Sequence, residues 1–473
     1  MKTTVTFRWV LVLALGLGSL GAKEPPAGVP NVVLMLADDL GWADLGCYGA
    51  DLHQTPRLDQ LAREGVRFTQ AYAMSVCSPT RASILTGRHA AGLRLTIWRE
   101  GALRPEEGRK MRPAPAIADL PHEELTLAEA LKAAGYLTFH VGKWHLGDAD
   151  HSPETQGFDV NLGGTHWGAP ATYFHPFRGE FGQAREFRYV PGLDVGQPGD
   201  YLTDRLTDEA LRLIEQAGRH PFFLNLWFHN PHTPIEGKPD LVEKYRARIR
   251  PGLKHQNPDY AAMIETLDSN VGRVLRQLEQ CQLAERTLVI FASDNGGTIL
   301  QHRGRQVTDN APLRSGKGSL YEGGIRVPLL VRMPGVATRG AVCDVPVFCT
   351  DLFPTILELC GLGDTLAAMP KVLLDGESLV PRLRHPAAPP TRNALFFHYP
   401  HYYATTTPVS AIRAGPYKLL EYFEDQRLEL YDLRADPGET RNLAAEQPER
   451  AAQLRARLQA WRTEVGAQLP ISR

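Results

Sequence analysis

The chain has 473 residues, a length that implies one large domain with a smaller one beside it. Its hydrophobic fraction of 43% and charged fraction of 22% are typical of a globular protein that folds in water. Lys and Arg total 52 against 53 for Asp and Glu, so no bulk charge draws the protein to nucleic acid or to acidic membranes. Any anion that it recognises must therefore be held by a few locally placed cations.

Residues 1–22 have the pattern of a signal peptide. Lys2 and Arg8 precede an apolar run over residues 9–17, and small residues follow up to Ala22. The run is shorter than the ~20 residues that a membrane-spanning helix needs, and no later segment is long and apolar enough to span. We therefore expect cleavage near Gly21 or Ala22, an exported protein in the periplasm or outside the cell, and no stable membrane insertion.

Short apolar strands and amphipathic helices alternate along most of the remaining chain. The predicted strands are 31–37, 66–74, 136–141, 221–228, 287–292 and 328–333, and the predicted helices are 57–64, 81–86, 126–134, 201–217, 259–278 and 351–360. Residues 146–200 are predicted as long loops, and residues 381–393 as a linker. Antiparallel strands are then predicted at 411–422 and 428–433, and a terminal helix at 447–465. This order predicts an α/β domain with a large, mostly parallel sheet, followed by a smaller α+β domain.

Acidic side chains stand directly after two of the predicted strands. Asp38 and Asp39 follow the first strand, and Asp294 and Asn295 follow the strand at 287–292. Open α/β sheets bind ligands at the carboxyl ends of their strands, and adjacent buried carboxylates repel unless a cation holds them. Ligation by oxygen alone favours Ca²⁺ over zinc. These four residues therefore predict a calcium site.

Cys77 begins the stretch C-S-P-T-R, in which Pro79 fixes a turn and a helix is predicted from Arg81 onward. The amino end of a helix beneath Cys77 would favour negative charge there. The six cysteines are too few for a disulfide scaffold and match no zinc pattern. Whether Cys343 and Cys349 form a disulfide is left open by the sequence.

Several motifs together resemble those of the type I sulfatases. They are C-S-P-T-R at 77, the Asp38-Asp39 pair, G-K-W-H at 142, P-H-T-P at 231, S-D-N-G-G at 293, the loop with Lys317, and the tail motifs L-Y-D-L at 430, D-P-G-E at 436 and N-L at 442. They occur in the order seen in that family and span nearly the whole chain after the signal segment. The resemblance implies an alkaline-phosphatase-like αβα sandwich, a catalytic domain over 28–385, a subdomain over 394–473, and hydrolysis of a sulfate ester.

The resemblance also implies roles for individual residues. A maturing enzyme would oxidise Cys77 to formylglycine, whose hydrated aldehyde is the nucleophile and a ligand of one calcium ion per chain, beside the four metal ligands named above. Arg81, Lys143 and Lys317 would surround the sulfate with positive charge. His145 would act as the base that breaks down the covalent sulfate and His232 as the acid that protonates the leaving alcohol, although the two roles could be exchanged.

The substrate is not specified by these motifs. Export and the loop with His166 and Trp167 favour, as substrate, a sulfated carbohydrate of glycosaminoglycan or algal type that is cleaved at a terminal residue. The alternative, equally compatible with the sequence, is that this loop only packs against the rest of the protein. Thr165 or His166 could fill the place of a small polar group that the family has near the sulfate. The rival interpretations are a phosphoester or phosphonate hydrolase on the same fold, for which the second set of zinc ligands is missing, and a secreted carbohydrate-binding protein without catalysis.

Overall fold

The computed structural model describes residues 28–104, 107–363 and 374–473. The predicted signal peptide, residues 1–22, lies outside the described residues. Among the helices that are described, none combines the length and the apolar character that crossing a membrane requires.

The strands are numbered in chain order. They are β1 Asn31–Ala37, β2 Val66–Tyr72, β3 Met111–Arg112, β4 Leu137–Gly142, β5 Val160–Leu162, β6 Arg178–Phe181, β7 Glu186–Tyr189, β8 Phe222–Trp227, β9 Thr287–Ser293, β10 Gln301–His302, β11 Arg305–Gln306, β12 Arg326–Arg332, β13 Ala341–Cys343, β14 Val347–Phe348, β15 Leu395–Tyr399, β16 Val409–Ala414, β17 Tyr417–Tyr422, β18 Leu428–Asp432 and β19 Ile471–Ser472.

The α-helices of the described residues are numbered in the same way. They are α1 Pro56–Glu64, α2 Cys77–Thr86, α3 Ala90–Leu93, α4 Arg99–Leu103, α5 Leu127–Ala133, α6 Leu202–Ala217, α7 Pro239–Arg246, α8 Pro258–Gln280, α9 Glu322–Ile325, α10 Leu352–Leu359, α11 Val380–Arg384 and α12 Pro448–Glu464.

Within the described ranges, one sheet has nine strands in the order β13–β2–β12–β9–β1–β8–β4–β5, with β14 also paired to β2. Strands β9, β1, β8, β4 and β5 run parallel, and β12 runs antiparallel to both of its neighbours. The central strands β1, β8 and β9 are buried along their whole length, which explains their continuous apolar sequences. Because these strands are parallel, the segments that follow β1, β4, β8 and β9 meet at one edge.

Helices cover both faces of this sheet. Alternate residues of β1 enter different cores: Val32 and Leu34 pack on the side of α2, α5 and α10, whereas Val33 and Met35 pack on the side of α1, α6 and α8. This three-layer arrangement confirms the predicted α/β sandwich with a large, mostly parallel sheet.

Strands β15 to β18 form a separate antiparallel sheet, which also confirms the prediction for the end of the chain. One face, with Phe397 and Leu420, joins the core on the α2 side of the large sheet. The other face, with Ile412 and Leu419, is covered by α12 through Leu458. The antiparallel sheet is thus fixed between α12 and the large core.

Four predicted segments differ from the structure. Helix α2 begins at Cys77, four residues earlier than predicted, because Pro79 lies in the first turn, where a missing N–H costs no hydrogen bond. The predicted strand 411–422 is a hairpin of β16 and β17 that turns at Gly415, which has a positive φ of 57°.

Strand β15 was not predicted, and the predicted linker 381–393 begins inside α11. The predicted loops over 146–200 contain β5 and the hairpin of β6 and β7.

Candidate active site

The four predicted metal ligands lie together at the carboxyl ends of β1 and β9. The Asp39 backbone N–H donates to Asp294 Oδ1 over 3.1 Å, and Asn295 Nδ2 donates to Asp39 Oδ1 over 2.8 Å. Asp38 is adjacent, and all four side chains are buried. Asp39 adopts a left-handed backbone conformation with φ 64°, which turns the chain sharply at the end of β1.

The donor atoms of this cluster fit a hard cation. Asp38 Oδ1 and Asn295 Oδ1 are buried oxygens that lack a hydrogen-bond partner within the described residues. Burial, together with the charges of Asp294 and Asp39, raises the pKa of Asp38 well above its usual value despite the nearby Lys143 and Arg81. A bound cation would satisfy the two oxygens, and carboxylate and amide oxygens are ligands that suit Ca²⁺.

Each carboxylate of the cluster is also paired with one of the predicted cations. Lys143 Nζ lies 2.6 Å from Asp38 Oδ2, and Arg81 Nη2 lies 2.7 Å from Asp294 Oδ2. Lys317 Nζ lies 2.7 Å from Asp39 Oδ1. Burial alone would raise the pKa of Asp39, but Lys317 lowers it well below the usual value. The cluster is therefore a network of opposed charges that keeps these carboxylates and cations in fixed positions.

Cys77 is the first residue of α2, and its Sγ lies 3.3 Å from His145 Nδ1. Burial alone would raise the pKa of the Cys77 thiol, but the Lys143 ammonium and the His145 ring lower it to about 6. The amino end of α2 favours negative charge at the same point. This position thus stabilises an anion on whatever group residue 77 carries.

Sequence reasoning missed Glu100, which holds the far side of His145. Glu100 Oε2 lies 2.8 Å from His145 Nε2, and its Oε1 accepts from the Gly168 N–H over 3.2 Å and lies 3.6 Å from Arg188 Nη2. A carboxylate only accepts hydrogen bonds, so Nε2 carries a proton, and Nδ1 faces Cys77. Nothing in the sequence around Glu100 predicts this contact, because its short helix α4 and the loop at Gly168 meet only in the fold.

Gly168 is needed for that approach. A Cβ at this position would lie 2.4 Å from His145 Cε1, so only a glycine lets the loop pass over the imidazole. The preceding Thr165 carbonyl accepts from the His145 backbone N–H over 2.9 Å. The loop 163–169 therefore fixes His145 from behind.

His232 is oriented by its own loop. Its Nδ1 donates to the Thr233 carbonyl over 2.8 Å, so its Nε2 turns toward Asp39, 3.6 Å from Oδ2. Burial, followed by the charge of Lys317, lowers the pKa of His232 well below its usual value. His229, which the sequence analysis did not single out, is buried nearby, and both of its ring nitrogens lack a hydrogen-bond partner in the described ranges.

These residues form the floor of a cavity of about 360 Å³. Of the predicted site residues, the cavity is lined by Asp39, Cys77, His145, His232 and Lys317. Arg81, Lys143, Asp38, Asp294 and Asn295 are buried beneath that floor. The structure therefore brings ten of the twelve predicted residues into one site within the described part of the chain.

The predicted substrate residues lie outside the lining of that cavity. His166 and Trp167 contact each other, with ring centroids 4.6 Å apart, and Trp167 packs edge-on against Tyr189. The loop instead contributes Gly168 and Ala169 to the wall. Wall residues that sequence reasoning missed are Trp98, Glu100, Phe181, Arg188, Leu300, His302 and Tyr403.

Two family models and several curated proteins match most of this chain. The sulfatase family model matches residues 30–362, and a model described as N-sulphoglucosamine sulphohydrolase, C-terminal, matches residues 316–464. A sulfatase of Formosa agariphila is 32% identical over 522 aligned positions, covering 95% of this chain and 92% of its own. Human arylsulfatase A is 34% identical over 484 positions, covering 92% of this chain and 86% of its own.

A solved structure matches over the same length. The crystal structure of Ps i-CgsB in complex with k-i-k-neocarrahexaose has a TM-score of 0.74 at 28% identity, with 92% of both chains covered. The implied alkaline-phosphatase-like fold is thereby confirmed. The family model covers well over half of the chain. The chain belongs to the sulfatase family and is a sulfuric ester hydrolase.

Proposed function

We propose that this protein removes sulfate from sulfated carbohydrates, using a formylglycine made from Cys77 and a calcium ion held by Asp38, Asp39, Asp294 and Asn295. The observation that carries the proposal is the position of Cys77. Its Sγ lies at the amino end of α2, 3.3 Å from His145, on the floor of a cavity above a buried network of carboxylates and cations. A nucleophile placed there reaches an anionic group that enters the cavity.

Lys317 is the cation best placed to bind the sulfate directly. Of the three predicted cations it alone, among the described residues, lines the cavity, and its position is fixed by Asp39. Arg81 and Lys143 are fully buried, so they act through their charge and by holding Asp294 and Asp38 in place. Asp38, Asp39, Asp294 and Asn295 would hold a calcium ion, which would supply further positive charge to polarise the sulfate oxygens.

The two histidines, His145 and His232, are placed for proton transfer at different parts of the cavity floor. The Nδ1 of His145 faces residue 77 and can accept a proton from a group there, while Glu100 keeps its Nε2 protonated. His232 presents its Nε2 toward the cavity. Because Nδ1 holds the proton of the neutral ring, Nε2 would protonate a leaving alcohol after the ring has taken up a second proton. A formylglycine hydrate at position 77 would supply one hydroxyl for attack and a second whose deprotonation releases sulfate.

Several observations support a carbohydrate substrate cleaved at a terminal residue. Relatives include a human N-acetylgalactosamine-6-sulfatase, 34% identical over 78% of this chain and 67% of its own, and the structure bound to neocarrahexaose described above. The cavity is small, about 360 Å³, which suits one sulfated sugar ring. Trp98, Phe181 and Tyr403 in its wall offer aromatic faces, and Glu100 and Arg188 offer polar groups.

The rivals are less well supported. Among the described residues, the metal-binding groups at the cavity floor contain a single histidine, His232 beside Asp38 and Asp39, so oxygen donors predominate over the histidines that zinc prefers. A carbohydrate-binding protein without catalysis would not require the His145 contact with residue 77. We further propose that the protein acts outside the cytoplasm, that a maturing enzyme is its transient partner, and that residues 28–385 and 394–473 are its two domains.

The test is sulfate release from a panel of defined sulfated mono- and disaccharides by the matured protein. We expect turnover on at least one terminal sulfated sugar, with aryl sulfates cleaved more slowly. Cys77→Ala should lose ~10⁴-fold or more in kcat with much less effect on binding. The control is Cys281→Ala, which changes a half-buried cysteine directly after α8 and should match wild type. Turnover of phosphate or phosphonate esters with no sulfate released from any saccharide would contradict the proposal.

A further inference from the structure

A second group of metal-binding side chains lies buried outside the cavity. Asp44 follows β1, His53 precedes α1, and His255 precedes α8, and all three side chains are at most 1% exposed. One ligand atom of each, Asp44 Oδ1, His53 Nδ1 and His255 Nε2, lies within 4.8 Å of the others. Two of the segments are separated by about two hundred residues, so only the fold brings them together.

The spacing of these atoms is close to that of a tetrahedral zinc site. His255 Nε2 lies 3.3 Å and His53 Nδ1 lies 3.8 Å from Asp44 Oδ1. Ligands bound at ordinary zinc distances in a tetrahedron are about 3.3 Å apart. A small rotation of the His53 ring would therefore let all three atoms coordinate the same ion.

Hydrogen bonds from surrounding groups orient His255 and Asp44 so that one ligand atom of each faces the centre of the group. Asp51 Oδ1 lies 2.8 Å from His255 Nδ1, and His255 Nε2 is left buried without a hydrogen-bond partner among the residues described. Asp44 Oδ2 accepts from the Gly41 N–H over 2.7 Å and from the Tyr260 hydroxyl over 2.8 Å, which leaves Oδ1 on the inner side. A carboxylate behind a histidine ligand is the usual outer support of a bound metal.

His53, the third ligand, would have to break a hydrogen bond in order to bind a metal. His53 Nδ1 lies 2.9 Å from the Asp44 carbonyl oxygen, so a metal would compete with that hydrogen bond. His53 also lines an open cleft with Gln54 and Glu265, so the group lies next to solvent-filled space. The Thr308 hydroxyl donates to Asp44 Oδ1, so a metal bound to that oxygen would also displace this hydrogen bond.

We propose that Asp44, His53 and His255 form a second metal site, selective for Zn²⁺ over Ca²⁺. Two imidazoles and one carboxylate are a donor set for zinc, whereas the oxygen-only donors beneath the cavity suit calcium. The site is structural. A metal here would tie the segment after β1 to the segment before α8, and Tyr260, which contacts Asp44, also lies 3.1 Å from the Asp39 carbonyl oxygen.

The test uses the full chain, stripped with a chelator and then kept in excess Ca²⁺ so that the oxygen-donor site is filled. Zinc bound after gel filtration is measured by elemental analysis for wild type, His53→Ala, His255→Gln and the matched surface variant His220→Ala. We expect about one zinc per chain in wild type and His220→Ala, and a loss of at least 80% of it in the two cluster variants. Zinc should also raise Tm by roughly 2 °C only where it is bound.

Cobalt gives a second readout that does not depend on stability. Co²⁺ bound by two histidines and a carboxylate in a tetrahedron should show intense visible absorption in wild type that is absent from His255→Gln. Equal zinc in wild type and both cluster variants would overturn the proposal, as would zinc retention below 0.1 per chain in wild type. If a cluster variant does not fold, the cobalt spectrum of wild type decides: no tetrahedral absorption rejects the site.

Discussion

His145 is held on two sides, by residue 77 at Nδ1 and by Glu100 at Nε2. Burial would lower its pKa, but Glu100 and then Cys77 raise it. Because Glu100 fixes which nitrogen carries the proton, it is a positioning residue: it acts on the reaction through His145 and not on the substrate itself. Its partner Arg188 in turn stacks over Phe181, 4.0 Å from the ring centroid, which ties β6 and β7 to the same network.

We predict that Glu100→Gln lowers kcat by ~10²-fold with little change in KM, because the amide can present an N–H to Nε2 and no longer selects one tautomer. Glu186→Gln, which removes another carboxylate from Arg188 but does not contact His145, should remain near wild type. Steady-state kinetics on one saccharide measures both. Equal rates for Glu100→Gln and wild type would show that His145 needs no such support.

Asp294 joins the oxygen-donor cluster to Arg81. We predict that Asp294→Ala abolishes calcium-dependent sulfate release, and that Asp294→Asn, which keeps the shape, requires more Ca²⁺ and still loses at least ~10²-fold in rate. Asp150→Ala on the surface should behave as wild type. Sulfate release is titrated with Ca²⁺ after chelation, and circular dichroism reports the fold. Wild-type activity that persists through thorough chelation would rule out the metal role.

At the scale of elements, helix α1 depends on a carboxylate from α8. Asp268 accepts from the backbone N–H groups of Arg57 and Leu58 at the first turn of α1, over 3.0 and 2.8 Å. Burial raises the pKa of Asp268 to about 7, even though these hydrogen bonds lower it. The folded protein therefore holds a proton that the unfolded chain has released between pH ~4 and ~7, and stability falls as pH rises through that window.

Asp268→Asn keeps an oxygen for the two N–H groups and removes the titration. We predict that the variant is more stable than wild type at pH 8, and that its advantage in the free energy of unfolding is about 1–4 kcal/mol larger at pH 8 than at pH 5. Denaturant unfolding at the two pH values measures this, with the exposed Asp240→Asn as control. A stability difference that does not change between pH 5 and pH 8 would contradict the raised pKa.

The wall of the cavity decides where a sugar stacks. Trp98 lines the cavity and packs edge-on against Tyr403, 5.5 Å between ring centroids, whereas Trp167 packs away from it on Tyr189. We predict that Trp98→Ala raises KM for a saccharide by about 10-fold, which corresponds to the ~1–2 kcal/mol of one stacked ring, and that Trp167→Ala has a smaller effect. A larger effect at Trp167 or His166 would move the sugar to the loop 163–169.

Elements that are buried on both faces, or that carry a clear capping residue, could be predicted from the sequence. β1 and β9 are buried on both faces, so their apolar runs end where the strands end, within a residue, and the acidic residues after them meet as expected. Helix α5 was predicted by its Thr126 cap, which the structure shows accepting from Glu129 N–H. The start of α2 was missed because a proline signals a turn and an N-terminal helical turn equally well.

The cavity wall was beyond sequence reasoning for a different reason. Glu100, Arg188 and Tyr403 come from short or irregular segments without periodicity, and their relation to Cys77 exists only after the chain has folded. Motif order predicted the floor, because every motif except the Lys317 loop follows a strand of one sheet, and that loop leads into β12 of the same sheet. It could not predict the wall, where His166 and Trp167 were chosen from composition alone.

At the scale of the whole molecule, the C-terminal segment completes the site. Tyr403 lines the cavity, and the Thr405 hydroxyl donates to the Lys317 carbonyl over 2.7 Å, so residues beyond the large sheet help to position a cation of the floor. The antiparallel sheet shares a core with α2, whose first residue is Cys77. The cavity above residue 77 is thus built by residues of the large sheet's loops and of the C-terminal part together.

The most direct test is the mass of the peptide containing residue 77, measured on the same purified sample whose sulfate release is assayed. We predict that active protein carries an aldehyde there, seen as a peptide lighter than the cysteine form and reactive with hydrazines, and that the specific activity of different preparations rises in proportion to the aldehyde fraction. Many turnovers by protein in which residue 77 is entirely an unmodified thiol would contradict the account.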